Sequence, residues 1–440
     1  MAAVNKAVVW IGCAALMFTM IGCSKDSETG KQAEKAPEVD LKAPVNLSFY
    51  ASSSSMTKDL FEAKIANPVK EKYPNYTFTY IQAGSKLADL IATGTIPDFF
   101  WLSLTEMRNV IFQYKFQYDL MEPINKQKYD LNRFDAAAVQ TIRNVSGEGK
   151  MLGLPDSFNP MVLFYNKDIF DKFGIGYPTN GMTWDAAYDL ARKMTRTESG
   201  VSYRGMGMYF RLMFNGNQLS LPLIDPESAK PLLSSTPGWK RILDNTKRFY
   251  DIEGNKLGWK SGSDGNNDLI SFINDRTTAM IVSPLSSYNR DGFQKLNWDM
   301  AAVPTFPDLP KVGMQSEPRM FFIANTAKAK EQAFQAITYL LSDEVQTKNN
   351  KDGQLTSLKS DAILKTFGQQ TPALSGKNNS AVYFNQFAPT PAFKTGITTD
   401  PATILAKEFD LVLTDKEDVN TAMRNADEKI KLAIEAENAK

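Results

Sequence analysis

The sequence contains no histidine, and it has only two cysteines in 440 residues. Histidine is the side chain that most often acts as a general base near neutral pH, and it is the commonest metal ligand. Its absence excludes catalytic triads and dyads built on histidine, and also histidine-ligated zinc and iron sites. A pair of carboxylates, as in glycoside hydrolases, needs no histidine and therefore remains an alternative.

The chain also lacks an excess of charge of either sign, with 50 Lys and Arg against 49 Asp and Glu. Binding to nucleic acid depends on a surplus of basic residues that neutralise phosphates, so no nucleic-acid partner is expected. The length of 440 residues indicates two or three domains. Aromatic residues make up 11% of the sequence, which is ample for both cores and binding surfaces.

The apolar run at residues 7–22 is too short for a membrane-spanning helix, which needs about 20 apolar residues. It follows Lys6 and has the pattern of a signal peptide. The stretch "MIGC" that ends at Cys23 resembles the lipobox of bacterial lipoproteins, in which the cysteine is lipidated and becomes the mature N-terminus. We therefore predict a signal peptide over residues 1–22 and a lipid on Cys23. The alternative is a buried N-terminal helix that contains an incidental cysteine.

Residues 23–44 contain almost no large apolar side chains, which is typical of a flexible tether. Together with a lipidated Cys23, such a tether predicts attachment to the extracellular face of a bacterial cell membrane through the lipid alone. Cys13 lies inside the predicted signal peptide, so the mature chain would have no second thiol and no disulfide.

From residue 45 onward, strand and helix patterns alternate along the chain. "VNLSFYA" and "YTFTYIQA" alternate apolar and polar residues, while "SKLADLIATG" has helical spacing that Gly94 stops. "IPDFFWL" is a short buried run, and Pro68 predicts a kink or a break in the helix that precedes "YTFTYIQA". Thr183 is placed to cap a helix, and "TDKE" at residues 414–417 predicts a capping box. This order predicts an α/β fold with parallel strands.

Five stretches, in this order, resemble extracellular solute-binding protein family 1, the maltodextrin-binding-protein-like receptors of ABC sugar importers. They are "LIATGTIPDFFWL", "GKMLGLP" with "VLFYNKDIFDKFGI", "MTWDAAYDLARKMT", "FINDRTTAMIVSP", and "WDMAAVPTFP" through "KEQAFQAITYLLSDEVQ". The glycine that is usual before the fourth strand is Arg276 in this chain. The resemblance covers about residues 47–353, and the last eighty residues match only as a helical tail.

The resemblance implies a two-lobed periplasmic-binding-protein fold of type II, in which each lobe is a mostly parallel sheet flanked by helices. Hinge strands would join lobe 1 (residues 45–158 plus 305–353) to lobe 2 (residues 159–304 plus 354–440). It further implies a monomer without cofactor or catalytic residue, which closes on a sugar and delivers it to the permease subunits of an ABC importer; we expect this sugar to be an oligosaccharide.

A sugar site needs flat aromatic surfaces for the CH faces and fixed polar groups for the hydroxyls. In open α/β sheets such a site lies beyond the carboxyl ends of the strands. Residues just past the predicted strands, with the positions that the resemblance implies, are the candidate ligand contacts: Tyr50, Ser52, Trp101, Ser103, Thr105, Phe158, Asn159, Phe210, Arg211, Trp259, Ser286, Tyr288, Glu317, Arg319, Tyr383 and Phe384. Trp259, in a Gly- and Ser-rich loop, is the predicted stacking surface, whereas Trp184 and Trp239 fit a core.

Three alternatives stay open at this point. A secreted glycoside hydrolase would have Glu106 and Glu317 as the only plausible acids among these strand ends. A receptor for polyamine, iron or phosphate would need a cluster of charge, which the sequence does not reveal. "DGNNDLISFIND" has the acidic spacing of a calcium loop, but Leu269 stands where the loop needs glycine, so no metal is expected. Glu317 and Arg319 could also form a salt bridge with each other.

Overall fold

A computed structural model describes residues 40–52, 56–81, 85–146, 148–256, 265–392 and 400–439. The strands are β1 (Val45–Tyr50), β2 (Tyr76–Ile81), β3 (Phe99–Leu102), β4 (Leu154–Phe158), β5 (Met161–Asn166), β6 (Arg196–Glu198), β7 (Val201–Met208), β8 (Thr278–Pro284), β9 (Trp298–Ala302), β10 (Pro318–Ile323) and β11 (Leu355–Thr356).

The α-helices that connect and cover these strands follow in chain order. They are α1 (Lys58–Phe61), α2 (Asn67–Lys72), α3 (Leu87–Ala92), α4 (Leu104–Met107), α5 (Met121–Gln127), α6 (Ala136–Ser146), α7 (Lys167–Phe173), α8 (Trp184–Met194), α9 (Phe210–Asn215), α10 (Pro237–Tyr250), α11 (Asn266–Asn274), α12 (Lys330–Leu340), α13 (Asp343–Lys351), α14 (Asp361–Leu364), α15 (Pro401–Leu413) and α16 (Val419–Asn438).

The described strands form two sheets. The six-stranded sheet has the order β11-β4-β10-β3-β1-β2, and the five-stranded sheet has the order β6-β7-β8-β5-β9. The chain passes from the first sheet to the second between β4 and β5, which only Asn159 and Pro160 separate. It returns between β9 and β10, through residues 303–317. This arrangement confirms the predicted α/β class. Both crossings connect the six-stranded sheet with the five-stranded sheet.

Both sheets are mixed, which corrects the expectation of mostly parallel sheets. β1 pairs in parallel with β2 and β3, but β10 runs antiparallel to β3 and β4. In the second sheet only the β7–β8 ladder is parallel among the described pairs. The reason lies in the crossings: β10 enters the first sheet at the edge where β3 ends, so it must run in the opposite direction.

Each sheet is covered by helices that bury an apolar face. In the first sheet, Phe49 of β1 is fully buried and packs on the rings of Phe61, Phe99 and Tyr80 at centroid distances of 4.9, 5.0 and 6.4 Å. The second core includes Trp184, which opens α8 and is 1% exposed. Such aromatic packing contributes much of the burial free energy that holds each sheet to its helices.

Local signals in the sequence are confirmed at several helix ends and contradicted at one. Gly94 has φ +79° just past α3, and the Thr183 hydroxyl accepts the Ala186 amide at 3.2 Å. The capping box predicted at Thr414 is wrong, because α16 begins at Val419 with Asp418 as its cap. Thr414 instead ends α15, where its hydroxyl donates to the Asp410 carbonyl. No helix is predicted from the sequence over residues 401–413, so Thr414 could not be recognised as the end of α15.

Two further expectations concern residue 68 and the domain boundary. Residues 58–72 are helical without interruption, and Pro68 is the second residue of α2, immediately after a π-helical turn at Glu62–Ala66. The lobe boundary at residue 353 stays a prediction. β11 lies two residues beyond it and pairs with β4 in the six-stranded sheet.

Candidate functional site

A cavity of about 350 Å³ lies where segments from both sheets meet. This volume is at the lower end of the range for small-molecule pockets. The segments that line it follow β3, follow β7 or precede β10, and residues 221–224, 390–392 and 400–401 complete the lining. The lining residues used below are Ser103, Thr105, Glu106, Arg108, Asn109, Arg211, Asn215, Leu221, Pro222, Leu223, Ile224, Gln315, Glu317, Thr390 and Asp400.

Strand direction explains why these segments meet. Ser103 follows β3, and its hydroxyl caps α4, which carries Thr105 and Glu106 into the cavity lining. Because β10 is antiparallel to β3, with Met320 opposite Leu102, the residues before β10 lie at the edge where β3 ends. Glu317 therefore arrives beside the α4 segment although the two are more than 200 residues apart in the sequence.

Glu106 is fixed from two sides. Its carboxylate accepts the Ser103 amide at 2.7 Å as part of a capping box, and it accepts Arg319 Nη1 at 3.1 Å. Burial alone raises the pKa of Glu106, but the charge of Arg319 and hydrogen bonds with Ser103 outweigh it. The pKa of Glu106 is consequently below its ordinary value, and the side chain is a carboxylate at neutral pH.

Glu317 joins the two sheets inside the cavity. Its Oε1 accepts a hydrogen bond from Asn215 Nδ2 at 2.6 Å, and Asn215 ends α9, the helix that follows β7. Burial raises the pKa of Glu317 above its ordinary value, although Arg108, Arg211 and the bond from Asn215 act against that change. A carboxyl group that is costly to ionise is thus held at the meeting point of the two sheets.

Two arginines complete the charged groups of the cavity. Arg211 Nη1 lies 3.4 Å from Asp400 Oδ2, and Asp400 also caps α15. Burial lowers the pKa of the Arg108 guanidinium, while Glu317 and Asp400 act to raise it. We call these residues, with the Arg319 that pairs with Glu106, the charged cluster: Glu106, Arg108, Arg211, Glu317, Arg319 and Asp400. The sequence analysis missed this cluster of charge, because its members come from four distant segments.

Solved structures with this fold come from several bacteria. An ABC substrate-binding protein from Listeria monocytogenes in complex with cycloalternan is 20% identical, with 88% of this chain and 98% of that chain covered and a TM-score of 0.66. The cyclic alpha-maltosyl-1,6-maltose binding protein from Arthrobacter globiformis is 16% identical, with 89% and 99% covered and a TM-score of 0.69. The sugar-binding protein MalE from Xanthomonas citri is 15% identical, with 90% and 98% covered and a TM-score of 0.68.

The sequence profile of the bacterial extracellular solute-binding protein family matches residues 53–347, well over half of the chain. The chain belongs to this family. The predicted family and the two-lobed periplasmic-binding-protein fold are thereby confirmed. This family consists of binding proteins and not of enzymes, so the glycoside hydrolase alternative is set aside. Among the described residues, no helix is both long and apolar enough to cross a membrane.

In this solute-binding protein, four predicted contacts line the cavity: Ser103, Thr105, Arg211 and Glu317. Each of them lies just beyond the end of a strand or just before an antiparallel one. Glu317 and Arg319 do not pair with each other, because Glu317 accepts Asn215 and Arg319 pairs with Glu106. The salt bridge considered from the sequence is therefore wrong.

Most of the predicted aromatic contacts lie in the cores instead. Tyr50 packs on Phe100 in the first core, and Phe210 is 0% exposed in the second. Trp101 is 8% exposed and donates through Nε1 to Asp156 at 2.8 Å. Tyr288 is 7% exposed and stacks on Trp298 at a centroid distance of 6.3 Å. These rings do not line the cavity because tertiary packing turns them toward a sheet.

The remaining candidates lie near the first crossing or away from the cavity. Asn159 and Ser286 bond to each other twice: Asn159 Nδ2 donates to Ser286 Oγ at 3.0 Å, and the Ser286 amide donates to Asn159 Oδ1 at 2.9 Å. Phe158 is 7% exposed and packs on Phe387 at 4.6 Å. None of these lines the cavity; the same holds for Ser52, Tyr383 and Phe384. Cys23 and Trp259 lie outside the described residues, so both stay predictions.

In the described part of the calcium-like stretch, residues 265–275, the Asp268 carboxylate contacts other side chains and a backbone amide. Asp268 Oδ1 lies 2.8 Å from Arg204 Nη1, and its Oδ2 accepts the Tyr250 hydroxyl at 2.5 Å and the Met208 amide at 3.1 Å. These partners contact both oxygens of the Asp268 carboxylate. Within the described part of the chain, no group of three acidic or cysteine side chains is arranged for a metal ion.

The sequence analysis also missed several lining residues. Arg108 and Asn109 follow Thr105 at three and four positions, which is the spacing of one helical face, so this signal was available. Asp400 and the segment 221–224 carried no local signal. No described residue that lines the cavity is Phe, Trp or Tyr, so the expected aromatic platform is not found among them.

Proposed function

We propose that this solute-binding protein captures a sugar in the cavity and delivers it to an ABC importer. The observation that carries the proposal is the hydrogen bond from Asn215 to Glu317 at 2.6 Å, made inside the cavity by groups anchored to different sheets. A ligand that bonds to both groups would hold the two sheets together. Such bridging is the contact on which capture by closure depends.

The charged cluster suits a ligand rich in hydroxyl groups. A carboxylate accepts hydroxyl hydrogen bonds and a guanidinium donates to hydroxyl oxygens, and such charge-assisted bonds are stronger than neutral ones. The cluster has three carboxylates and three guanidiniums, and the pairs Glu106–Arg319 and Arg211–Asp400 are in contact. Because its charges compensate, a neutral ligand gains these bonds without leaving an isolated buried charge.

The fold relatives support a sugar as the ligand. The Listeria protein is in complex with cycloalternan, and the Arthrobacter protein binds cyclic alpha-maltosyl-1,6-maltose. At identities of 20% and 16%, these relatives do not define which sugar this chain binds. An oligosaccharide remains the proposed ligand, and the chain is proposed to act as a monomer together with the permease subunits.

The mechanism we propose is closure of two lobes around the crossings. Lobe 1 would contain residues 45–158 plus 305–353, and lobe 2 would contain residues 159–304 plus 354–440. A ligand that contacts Thr105 in one lobe and Arg211 in the other favours the closed arrangement by its differential affinity for it. The ligand thus shifts the population toward the closed conformation, which the permease subunits would bind in preference to the open one.

A thermal-shift screen of the purified chain against neutral oligosaccharides tests the proposed ligand. A sugar at 100 times its dissociation constant should raise the free energy of unfolding by about 2.7 kcal/mol. The bound sugar should be recovered unchanged after prolonged incubation, and small-angle scattering should show a smaller radius of gyration at saturation. An unchanged radius at saturation would reject closure, and the absence of any stabilising sugar would reject the sugar ligand.

Attachment to the membrane through Cys23 is a separate part of the proposal. It is supported by the junction of an apolar run and a polar tether at that residue. We expect Cys23→Ala to release the protein or to leave the signal peptide uncleaved. An unmodified, internal Cys23 found by mass spectrometry in the membrane fraction would contradict the anchor.

A solute that carries charge is the second candidate, because the charged cluster is present after all. Arg108 and Glu317 are both half-buried in the cavity lining, and a zwitterionic solute could pair with them. This candidate predicts that zwitterionic solutes raise the melting temperature of the chain in the same thermal-shift screen, whereas neutral sugars do not.

A further inference from the structure

Four consecutive apolar residues line the cavity that contains the charged cluster. They are Leu221, Pro222, Leu223 and Ile224, which we call the aliphatic wall. Ile224 is buried, but Leu221, Pro222 and Leu223 are only partly covered. Adjacent apolar side chains that stay partly exposed in a cavity are typical of a binding groove. A ligand that covers them removes their apolar surface from water.

The backbone of the aliphatic wall is held in place at successive residues. The Leu221 amide donates to Asn217 Oδ1 at 2.9 Å, and the Leu221 carbonyl accepts Asn217 Nδ2 at 3.0 Å. The Pro222 carbonyl accepts Trp239 Nε1 at 3.1 Å, and the Leu223 carbonyl accepts the Leu232 amide at 3.0 Å. The exposure of these side chains is therefore a fixed property of the loop and not a consequence of a loose connection.

Tight packing behind the wall points to the same conclusion. A Cβ on Gly238 would lie 2.6 Å from Leu221 Cδ1, so the Leu221 side chain packs closely against the start of α10. Asn217 is 2% exposed, and its carbonyl accepts Gln315 Nε2 at 2.9 Å from the second crossing. The loop is thus preorganised between α9 and α10, which lowers the conformational cost of binding against it.

We propose that the aliphatic wall is the apolar subsite of this cavity, on which the CH face of a pyranose ring packs. This inference rests on the proposed sugar ligand and adds where its apolar face is bound. The described lining offers no aromatic ring, and the wall is its longest run of apolar residues. The edge of the same sugar would carry its hydroxyls to Asn215 and Glu317. The ligand class is a neutral pyranoside with a continuous CH face.

Calorimetric titration of the full chain with maltotriose, cellotriose and mannotriose as probes tests the wall. With the probe that binds, Leu223→Ala should raise the dissociation constant about five- to thirtyfold, because part of the apolar surface that the leucine buries is lost. The heat-capacity change of binding should also become less negative, because less apolar surface is buried. A merely structural role of Leu223 would not change that quantity.

Two variants serve as controls. Leu223→Met conserves volume and apolar character and should retain binding within about threefold. Leu219→Ala removes a leucine from the same connection at a residue outside the cavity lining, and it should leave both the dissociation constant and the heat-capacity change unaltered. The melting temperature of each free variant separates loss of the subsite from loss of the fold.

The outcomes distinguish this inference from the proposed function. If a probe binds the wild-type chain but Leu223→Ala binds it equally well with the same heat-capacity change, the wall is not the subsite, and the sugar receptor stands. If no probe binds and only a charged solute does, the sugar receptor falls and the inference falls with it. Weakened binding of Leu223→Ala together with retention by Leu223→Met supports the wall.

Discussion

Two buried aspartates show how similar chemistry serves different purposes in the two sheets. Asp268, beside the five-stranded sheet, is 1% exposed and forms an ion pair with Arg204. Tyr250 donates to the same carboxylate, and burial together with the charge of Asp268 raises the pKa of Tyr250 well above its ordinary value. Neither Asp268 nor these two partners lines the cavity among the described residues. This group fastens α11 and α10 to β7.

Asp156, in the six-stranded sheet, is 2% exposed but is surrounded by neutral donors. Trp101 Nε1, Gln346 Nε2 and Gln354 Nε2 donate to it at 2.8, 2.9 and 2.8 Å. Burial raises the pKa of Asp156, and these hydrogen bonds only partly oppose that change. The ring of Trp101 lies 4.5 Å from the Arg319 guanidinium carbon, so Asp156 is connected to the charged cluster.

The difference is that an ion-paired aspartate contributes chiefly to stability, while one bound by neutral donors orients a ring beneath Arg319 of the charged cluster. Charge pairing compensates the cost of burying Asp268 within its own group. Asp156 lacks such compensation in direct contact, so its conformation is coupled to the charged cluster through Trp101 and Arg319. Four experiments, from the largest expected effect to the smallest, test this comparison.

Asp268→Asn should have the largest effect on stability. Removing one partner of a buried pair leaves Arg204 as an uncompensated charge, which costs about 3–5 kcal/mol. Urea unfolding should show this loss, whereas the dissociation constant for a sugar probe should not change. The double variant Arg204→Met with Asp268→Leu is the matched control and should recover much of the loss. If Asp268→Asn raised the dissociation constant for the sugar probe but left the free energy of unfolding unchanged, the distinction between the two aspartates would be wrong.

Asp156→Asn should affect both stability and binding. The amide group of Asn would face the Gln346 or Gln354 donors, leaving a buried donor without an acceptor at a cost of about 1–3 kcal/mol. Because Trp101 loses part of its support, binding of a sugar probe should also weaken, by about three- to tenfold. Loss of stability without any change in the dissociation constant would show that Asp156 is as purely structural as Asp268.

The sequence predicted the segments of the fold better than the direction of its side chains. Ser103, Thr105, Arg211 and Glu317 were found because a strand end can be recognised locally, and strand ends meet at one edge of a sheet. Whether Trp101 faces a cavity or Asp156 depends on residues 55 positions away. Local patterns do not contain that information, so the sequence does not reveal that Trp101 donates to Asp156 and does not line the cavity.

The charged cluster illustrates the same limit at longer range. Arg108 was within reach of a helical-face argument from Thr105, but Asp400 lies far outside the segment in which the family resemblance could be recognised. Its 3.4 Å contact with Arg211 joins residues 189 positions apart. The mixed sheets, too, follow from where the crossings enter, which strand propensity does not specify.

Glu317→Gln should stabilise the free protein, in contrast to both aspartate variants. Burial raises the pKa of Glu317, so between its ordinary pKa of 4.5 and its raised value the folded state binds more protons than the unfolded state. Stability of the wild type therefore falls as pH rises through that window, and Glu317→Gln removes this fall. The melting temperature of the variant should exceed that of the wild type at pH 7, and the difference should vanish near pH 4. Binding of a sugar probe should weaken in the same variant. A variant less stable than the wild type at pH 7 would contradict this.

Asn159 and Ser286 give the smallest expected effect, because their reciprocal hydrogen bonds are exposed. Asn159→Ala and Ser286→Ala should each reduce the free energy of unfolding by less than about 1.5 kcal/mol. If the two side chains act only as a pair at the first crossing, the double variant should bind a sugar probe no more weakly than either single variant. Direct contacts of each residue with the ligand would instead make the two losses add. A double-mutant cycle of dissociation constants separates these cases, and additivity would return both residues to the binding site in which the sequence placed them.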